Sequence, residues 1–259
     1  HNIGLLYKVS DPRKALGYFQ SALQVFREVG DKFAEPVALN NVGECYWYLS
    51  EYQSALTAFE EALTLWREQK NIRDIALAIG NLGLVYGALG DDAKEKLYVE
   101  QSLELRTSIG DKRGQSNALN GLGFINQKQG DLTKALEFYE KALAIRREIG
   151  SHREAAVTQR NIGNIYRELG QSQKALENYQ ESLKILRAAN DLIWTGRTLG
   201  SVGVAYIGLG NKTEAHKAFE EALLLSQKTG NKSEEAQMFY QLAVLDKMDG
   251  KFVEAETKV

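Results

Sequence analysis

Asparagine is the residue type whose spacing promises the most chemistry in this chain. Asn41, Asn81 and Asn161 fall on one 40-residue period. A carboxamide donates and accepts at once, so it can satisfy both polar groups of a bound peptide unit. Asparagine is also a poor helix former, so three in one register need a reason. A polar contact between stacked helices is the other reading of the same residues. The remaining reactive side chains point to no reaction. The three histidines, His1, His152 and His216, are too scattered for a metal site or a catalytic pair. Glu60-Glu61 and Glu220-Glu221 sit among i,i+4 partners and read as solvated charges, not an acid/base pair. No glycine-rich phosphate loop follows a strand. The expectation is a chain with no catalytic residues, no metal and no cofactor, and hence not an enzyme.

Composition narrows the class further. Hydrophobic residues are 44% and charged residues 25% of the 259, which is ordinary for a folded protein. A net charge of -2 provides no general field for a nucleic-acid backbone, so no nucleic acid is expected as partner. The single Cys45 cannot pair within the chain, which suits a reducing, cytoplasmic location. No apolar run approaches the roughly 20 residues that span a bilayer, and no signal peptide opens the chain. No membrane partner is expected.

The elements that would position the asparagines follow from the repeats. Glycines 43, 83, 123, 163 and 203 are 40 apart, each within an aliphatic-Gly pair, as in Val42-Gly43-x-x-Tyr46 and Ile162-Gly163-x-x-Tyr166. A second glycine series runs 90, 130, 170, 210 and 250, with Ser50 in that place once. A third runs 30, 110, 150 and 230, with Lys70 and Asn190 substituting. Each residue after the third series (Asp31, Asn71, Asp111, Ser151, Asp191, Asn231) is a helix N-cap type. Ser151–Glu154 has the spacing of a capping box. A helix A is therefore predicted to start near 32, 72, 112, 152, 192 and 232, and a helix B near 52, 92, 132, 172 and 212. Left-handed residues of the glycine series end them. Pro36 falls five residues inside the second helix A, so that helix is predicted to begin late, with Glu35 as its cap. Helix B carries Ala-x-x-x-aromatic, as in Ala55/Phe59 and Ala175/Tyr179. The small residue would allow close approach and the ring would fill the gap.

Leu-Gly-x-x-Tyr followed by Ala-x-x-x-Phe resembles the tetratricopeptide repeat, over the whole chain and in register. The familiar unit has 34 residues and a proline closing helix B. Here the unit has 40, and the proline position holds Arg27, Arg67, Thr107, Arg147, Arg187 and Gln227. This is similar to the longer variant of kinesin light chains, spindle-orientation adaptors and bacterial signalling proteins. The resemblance implies an all-α fold, a right-handed α-solenoid of helix-turn-helix hairpins over residues 1–259. Five whole repeats cover 31–70, 71–110, 111–150, 151–190 and 191–230, with partial repeats at 1–30 and 231–259. Neither end carries a polar capping helix, so a fragment of a longer protein is expected. The uncapped ends also allow self-association.

The resemblance further implies that one face of helix A lines a concave groove for a peptide or partner segment. Its residues include Asn41, Glu44 and Tyr48, then Asn81 and Leu84. In the next repeats come Asn117, Asn120, Phe124 and Lys128, then Arg160, Asn161, Asn164 and Arg167, and finally Arg197, Ser201 and Val204. Apolar Leu84, Phe124 and Val204 among arginines and Lys128 would suit a segment with both apolar and acidic residues. Gly80, Gly87, Gly121, Gly200 and Gly208 on or beside this face either let helices crowd or let a ligand approach. The reading is a protein-protein interaction module, in signalling or scaffolding. The alternative is a regulatory sensor arm controlling an attached enzyme, such as a CHAT protease or an NTPase. The chain also breaks its own rules: Glu95 replaces the helix B alanine, and Asn126 and Gln129 replace Tyr and Leu. A polar cluster of those three, forming a weak joint, is predicted there.

Overall fold

Apolar residues recurring three and four apart, between residues that stop helices, dictate a run of helices. In the computed structural model, residues 2–8 and 10–248 are described, and they form thirteen α-helices with no strand among them. These are α1 (Asn2–Tyr7), α2 (Pro12–Val29), α3 (Ala34–Tyr48), α4 (Tyr52–Glu68), α5 (Ile72–Ala88), α6 (Asp92–Ser108) and α7 (Lys112–Lys128). They continue as α8 (Leu132–Glu148), α9 (His152–Glu168), α10 (Ser172–Ala188), α11 (Leu192–Gly208), α12 (Lys212–Thr229) and α13 (Lys232–Met248). Odd numbers are helices A and even numbers helices B, as the repeat predicts. The chain divides into one unit over His1–Ile125 and another over Asn126–Val259. Gly250 and any helix B after α13 lie outside the described residues.

In the first unit, α1 pairs with α2, α3 with α4 and α5 with α6, while α2 packs on α3 and α4 on α5. In the second, α9 pairs with α10 and α11 with α12, while α8 packs on α9, α10 on α11 and α12 on α13. The hairpins are closed by the ring and the glycine of the repeat. A Cβ on Gly43 would lie 2.7 Å from the ring of Phe59, and one on Gly163 2.5 Å from that of Tyr179. Phe59 and Tyr179 are both essentially inaccessible. The aromatic residue therefore sits on helix A itself, which only glycine permits.

Side-chain caps start the helices where predicted: Asp11, Asp91, Asp131 and Asn211 before helices B, Asn71 and Asp191 before helices A. Two starts differ. Helix α3 begins at Ala34, two residues before Pro36, because Asp31 Oδ1 accepts from the Ala34 N–H at 3.0 Å. Pro36 then falls within the first turn, where no hydrogen bond is lost. Glu35 is no cap; its carboxylate takes the Arg27 guanidinium at 2.8 Å. At Ser151 the hydroxyl donates to Glu154 Oε2 at 3.0 Å and caps no backbone N–H. The residues of the third series end helices B in left-handed turns, including Lys70 at φ 55° and Asn190 at φ 52°.

The rule-breaking residues are only partly a buried set. Glu95 is buried, its carboxyl lying over Gly87 so that a Cβ there would be 2.5 Å from Glu95 Cδ. Asn126 is also buried, but Gln129 is exposed and belongs to no buried cluster.

Candidate functional site: the helix A faces

In the first unit the asparagines serve two ends. Asn41 is buried, and its Nδ2 donates to the Val37 carbonyl at 2.8 Å within α3. Its Oδ1 receives Lys8 Nζ at 3.4 Å, and Lys8 also pairs with Glu44. Asn40 Nδ2 donates to Glu44 Oε1 at 2.9 Å, and Asn81 Nδ2 donates to Asn40 Oδ1 at 2.9 Å. A polar chain thus runs from Lys8 through α3 to α5. Both ends of the Asn41 amide thus make hydrogen bonds inside the protein, and the side chain is buried.

Asn81 and Leu84 border two cavities. One, about 120 Å³, is shared with Glu44, Trp47, Tyr48 and Phe59. The indole N–H of Trp47 is buried with no acceptor. The other, about 250 Å³, lies between α5, α6 and α7 and includes Arg106, Asn117 and Gly121. Leu84 is 52% exposed and Phe124 55%, large apolar side chains where solvent-facing helices carry polar ones. Asn117 and Lys128 are exposed and Asn120 half-buried, and Phe124, Asn120 and Lys128 border neither cavity.

The groove-side glycines mostly serve helix packing. A Cβ on Gly80 would approach Ser102 Oγ to 3.2 Å, one on Gly200 would approach Met238 Cε to 3.1 Å, and one on Gly208 would collide with Ser172. Only Gly121 leaves ordinary room, 3.6 Å from Val99.

In the second unit the arginines converge. Arg160, Asn164, Arg167, Arg197, Ser201 and Val204, all singled out from the sequence, line one cavity of about 410 Å³. Helices α9 and α11 supply them, and α13 closes the far wall with Glu234 and Met238. Arg197 Nε donates to Glu234 Oε1 at 2.9 Å. The Arg160 and Arg197 guanidiniums lie 5.7 and 5.1 Å from the Trp194 ring centroid, within reach of the ring's negative face. Burial holds the Arg160 guanidinium below the ordinary arginine range, and Arg197 and Arg167 add repulsion. Its Nε is buried without an acceptor. Asn164 Oδ1 accepts from the Tyr179 hydroxyl at 2.8 Å. Asn161 is half-buried, borders no cavity described here and makes no side-chain hydrogen bond to a described residue.

Sequence reasoning missed Trp47, Trp194 and the α13 wall. Trp194 carried a signal: equivalent positions hold Ala34, Asp74, Gly114, Glu154 and Glu234, so a tryptophan there is a departure. Cys45 is fully buried, and burial raises its thiol pKa to about 11. Among the described residues, no group of three or more His, Cys, Asp or Glu could hold a metal ion. No described helix is long and apolar enough to cross a membrane.

Tetratricopeptide-repeat models match residues 1–68, 35–108, 114–188 and 195–229. The chain belongs to the tetratricopeptide-repeat family. This family chain shares its fold with BtubC (BKLC) from P. vanneervenii at 21% identity and TM-score 0.68, covering 81% of this chain and 86% of that one. The apo form of RapI matches at 16% identity and TM-score 0.72, covering 86% and 94%. The STAND ATPase PH0952 from Pyrococcus horikoshii, described as having a tetratricopeptide repeat sensor, matches at 16% identity and TM-score 0.78. That match covers 97% of this chain and 40% of that protein. No curated protein matches significantly.

Proposed function

We propose that this chain is a protein-interaction module whose helix A faces hold a segment of a partner protein. The observation that carries the reading is the cavity of the second unit, where three arginines and one glutamate meet beside Val204 and Met238. A floor of that kind fits a segment with acidic and apolar side chains. In the first unit, exposed Leu84 and Tyr48 fit an apolar side chain of the same segment. The near-neutral charge of -2 favours protein over nucleic acid as partner. A lone buried thiol accords with a cytoplasmic location.

A second reading has its own support. The description of PH0952 calls its repeats a sensor within a larger ATPase. By that analogy, this chain would be the arm that reports ligand occupancy to an attached enzyme. It predicts an enzymatic output that changes when the helix A faces are filled.

A library of acidic-apolar peptides, screened for binding to the full chain, tests the first reading. Binding should weaken in Arg197→Gln and Leu84→Asp and fall as salt rises, because exposed charges are screened beyond about 8 Å at physiological ionic strength. Binding indifferent to both substitutions would reject the helix A faces as the site. Substitution-sensitive binding that is flat with salt would remove the acidic element alone.

A further inference from the structure

The cavity of the second unit is more specific than a basic surface. Arg160, Arg167 and Arg197 face it, and Glu234 is the one acidic residue on its described lining. Three positive charges face one negative on this lining, and Arg197 is the one paired with it. Glu168, outside the lining, makes a longer ion pair with Arg167 at 3.8 Å, so Arg160 alone of the three has no carboxylate partner among the described residues. Two of the guanidiniums lie over the Trp194 ring, a cation–π contact that attracts them to one point. Arg197 spends one N–H on Glu234, whereas Arg160 makes no hydrogen bond or ion pair to any described residue and keeps a buried Nε unpaired. An unpaired buried donor is costly, and a bound anion removes that cost.

We propose that this cavity seats a doubly charged phosphoryl group carried on the partner segment, held by Arg160, Arg167 and Arg197. The proposal rests on the interaction reading above, since the group arrives on a segment lying along α9 and α11. A phosphate monoester answers the excess of positive charge on the lining, and its three terminal oxygens point in three directions, one for each guanidinium. A carboxylate carries one charge and two coplanar oxygens, so it cannot meet three guanidiniums from two helices equally well. Asn164 and Ser201 add neutral polar groups to the lining, while Val204 and Met238 supply apolar wall for neighbouring side chains.

The test is a titration of the full chain, isotope-labelled at arginine and tryptophan, followed by nuclear magnetic resonance. The probe is an acetylated, amidated Ala-Gly-phosphoserine-Gly-Ala peptide, compared with its serine and glutamate counterparts and with inorganic phosphate. The phosphopeptide should shift the Trp194 indole N–H and the arginine Nε–H signals saturably, and the serine peptide should not. Arg160→Gln should weaken binding about tenfold or more, as expected for loss of a charged hydrogen bond. Should that variant unfold, the half-exposed Arg167→Gln carries the same expectation. Affinity should rise between pH 5 and pH 7, because the phosphate takes its second charge near pH 6 and no histidine is on the described lining.

Equal binding of serine and phosphoserine peptides would overturn the proposal, as would a glutamate peptide that binds as tightly with no pH dependence. Inorganic phosphate binding as tightly as the phosphopeptide would make the ligand a free anion and overturn the segment-borne group. Unphosphorylated segments that bind this face with unchanged affinity would leave the interaction reading standing and sink this one alone.

Discussion

Asn81 gives an Nδ2 hydrogen to Oδ1 of Asn40, 2.9 Å away, and so ties helix α5 to helix α3. One donor of an amide that could hold a peptide backbone is thereby spent inside the scaffold. The Oδ1 of Asn81 keeps its capacity, as no described residue donates to it, and it borders both cavities of its unit. Asn81→Ala should therefore cost about 1 kcal/mol of stability, the usual worth of one such bond. Asn161, with no side-chain hydrogen bond, should cost close to nothing when changed to alanine. Chemical denaturation of the two variants checks the contrast, and equal losses would contradict it.

Gly163→Ala should destabilise by about 1–3 kcal/mol, the range for overpacking a core. The added Cβ would meet the Tyr179 ring at 2.5 Å, and that ring is fully buried. Gly121→Ala, with 3.6 Å to Val99, serves as the control and should cost less. Thermal melts of both variants would show the difference.

Lys70 holds φ 55° and Asn190 φ 52° in the turns after helices α4 and α10. A left-handed conformation costs an ordinary L-residue roughly 1–2 kcal/mol, and asparagine less. Glycine avoids that strain at some cost in unfolded-state entropy. Lys70→Gly should raise stability by a few tenths to about 1 kcal/mol, and Asn190→Gly should gain less. A midpoint shift in urea is the readout.

The Cys45 thiol should resist labelling by aromatic disulfides at neutral pH until the protein unfolds, since the thiolate is the reactive form. Its raised pKa of about 11, against an ordinary 9.0, also has a sign. The folded state keeps its proton longer than the unfolded chain. This group's stabilisation is thus complete below about pH 9 and is lost as pH climbs toward about 11. Cys45→Ala should flatten that part of the stability profile.

The period, the hairpins and most helix starts were legible because each rests on local signals repeated in register: a cap, a left-handed residue, a glycine facing a ring. The start of α3 was not, because Pro36 is tolerated in a first turn whose N–H groups need no partner in the helix, so Asp31 caps Ala34 at the same three-residue spacing as the other caps. Arg160, Arg167 and Arg197 were legible as one face of successive helices A. What they gather around was not, because Trp194 replaces the small or acidic residue of the other repeats and Glu234 reaches Arg197 from the following helix A. The use of Asn41 and Asn40 was also hidden, since Lys8 and Asn81 reach them from elsewhere in the first unit.

A glycine facing a ring closes four hairpins in nearly the same way, at Gly4 with Phe19, Gly43 with Phe59, Gly163 with Tyr179 and Gly203 with Phe219. At the level of the gene, such hairpins are interchangeable parts. A chain with residues 31–70 and 151–190 exchanged would keep its latches. It would also put Arg160 opposite Asn81, where Asn40 now accepts a hydrogen bond and a guanidinium cannot. The order of the repeats is therefore written on the helix A faces and not in the hairpin cores. A shuffled chain that melts like the parent yet has lost its ligand would demonstrate that separation.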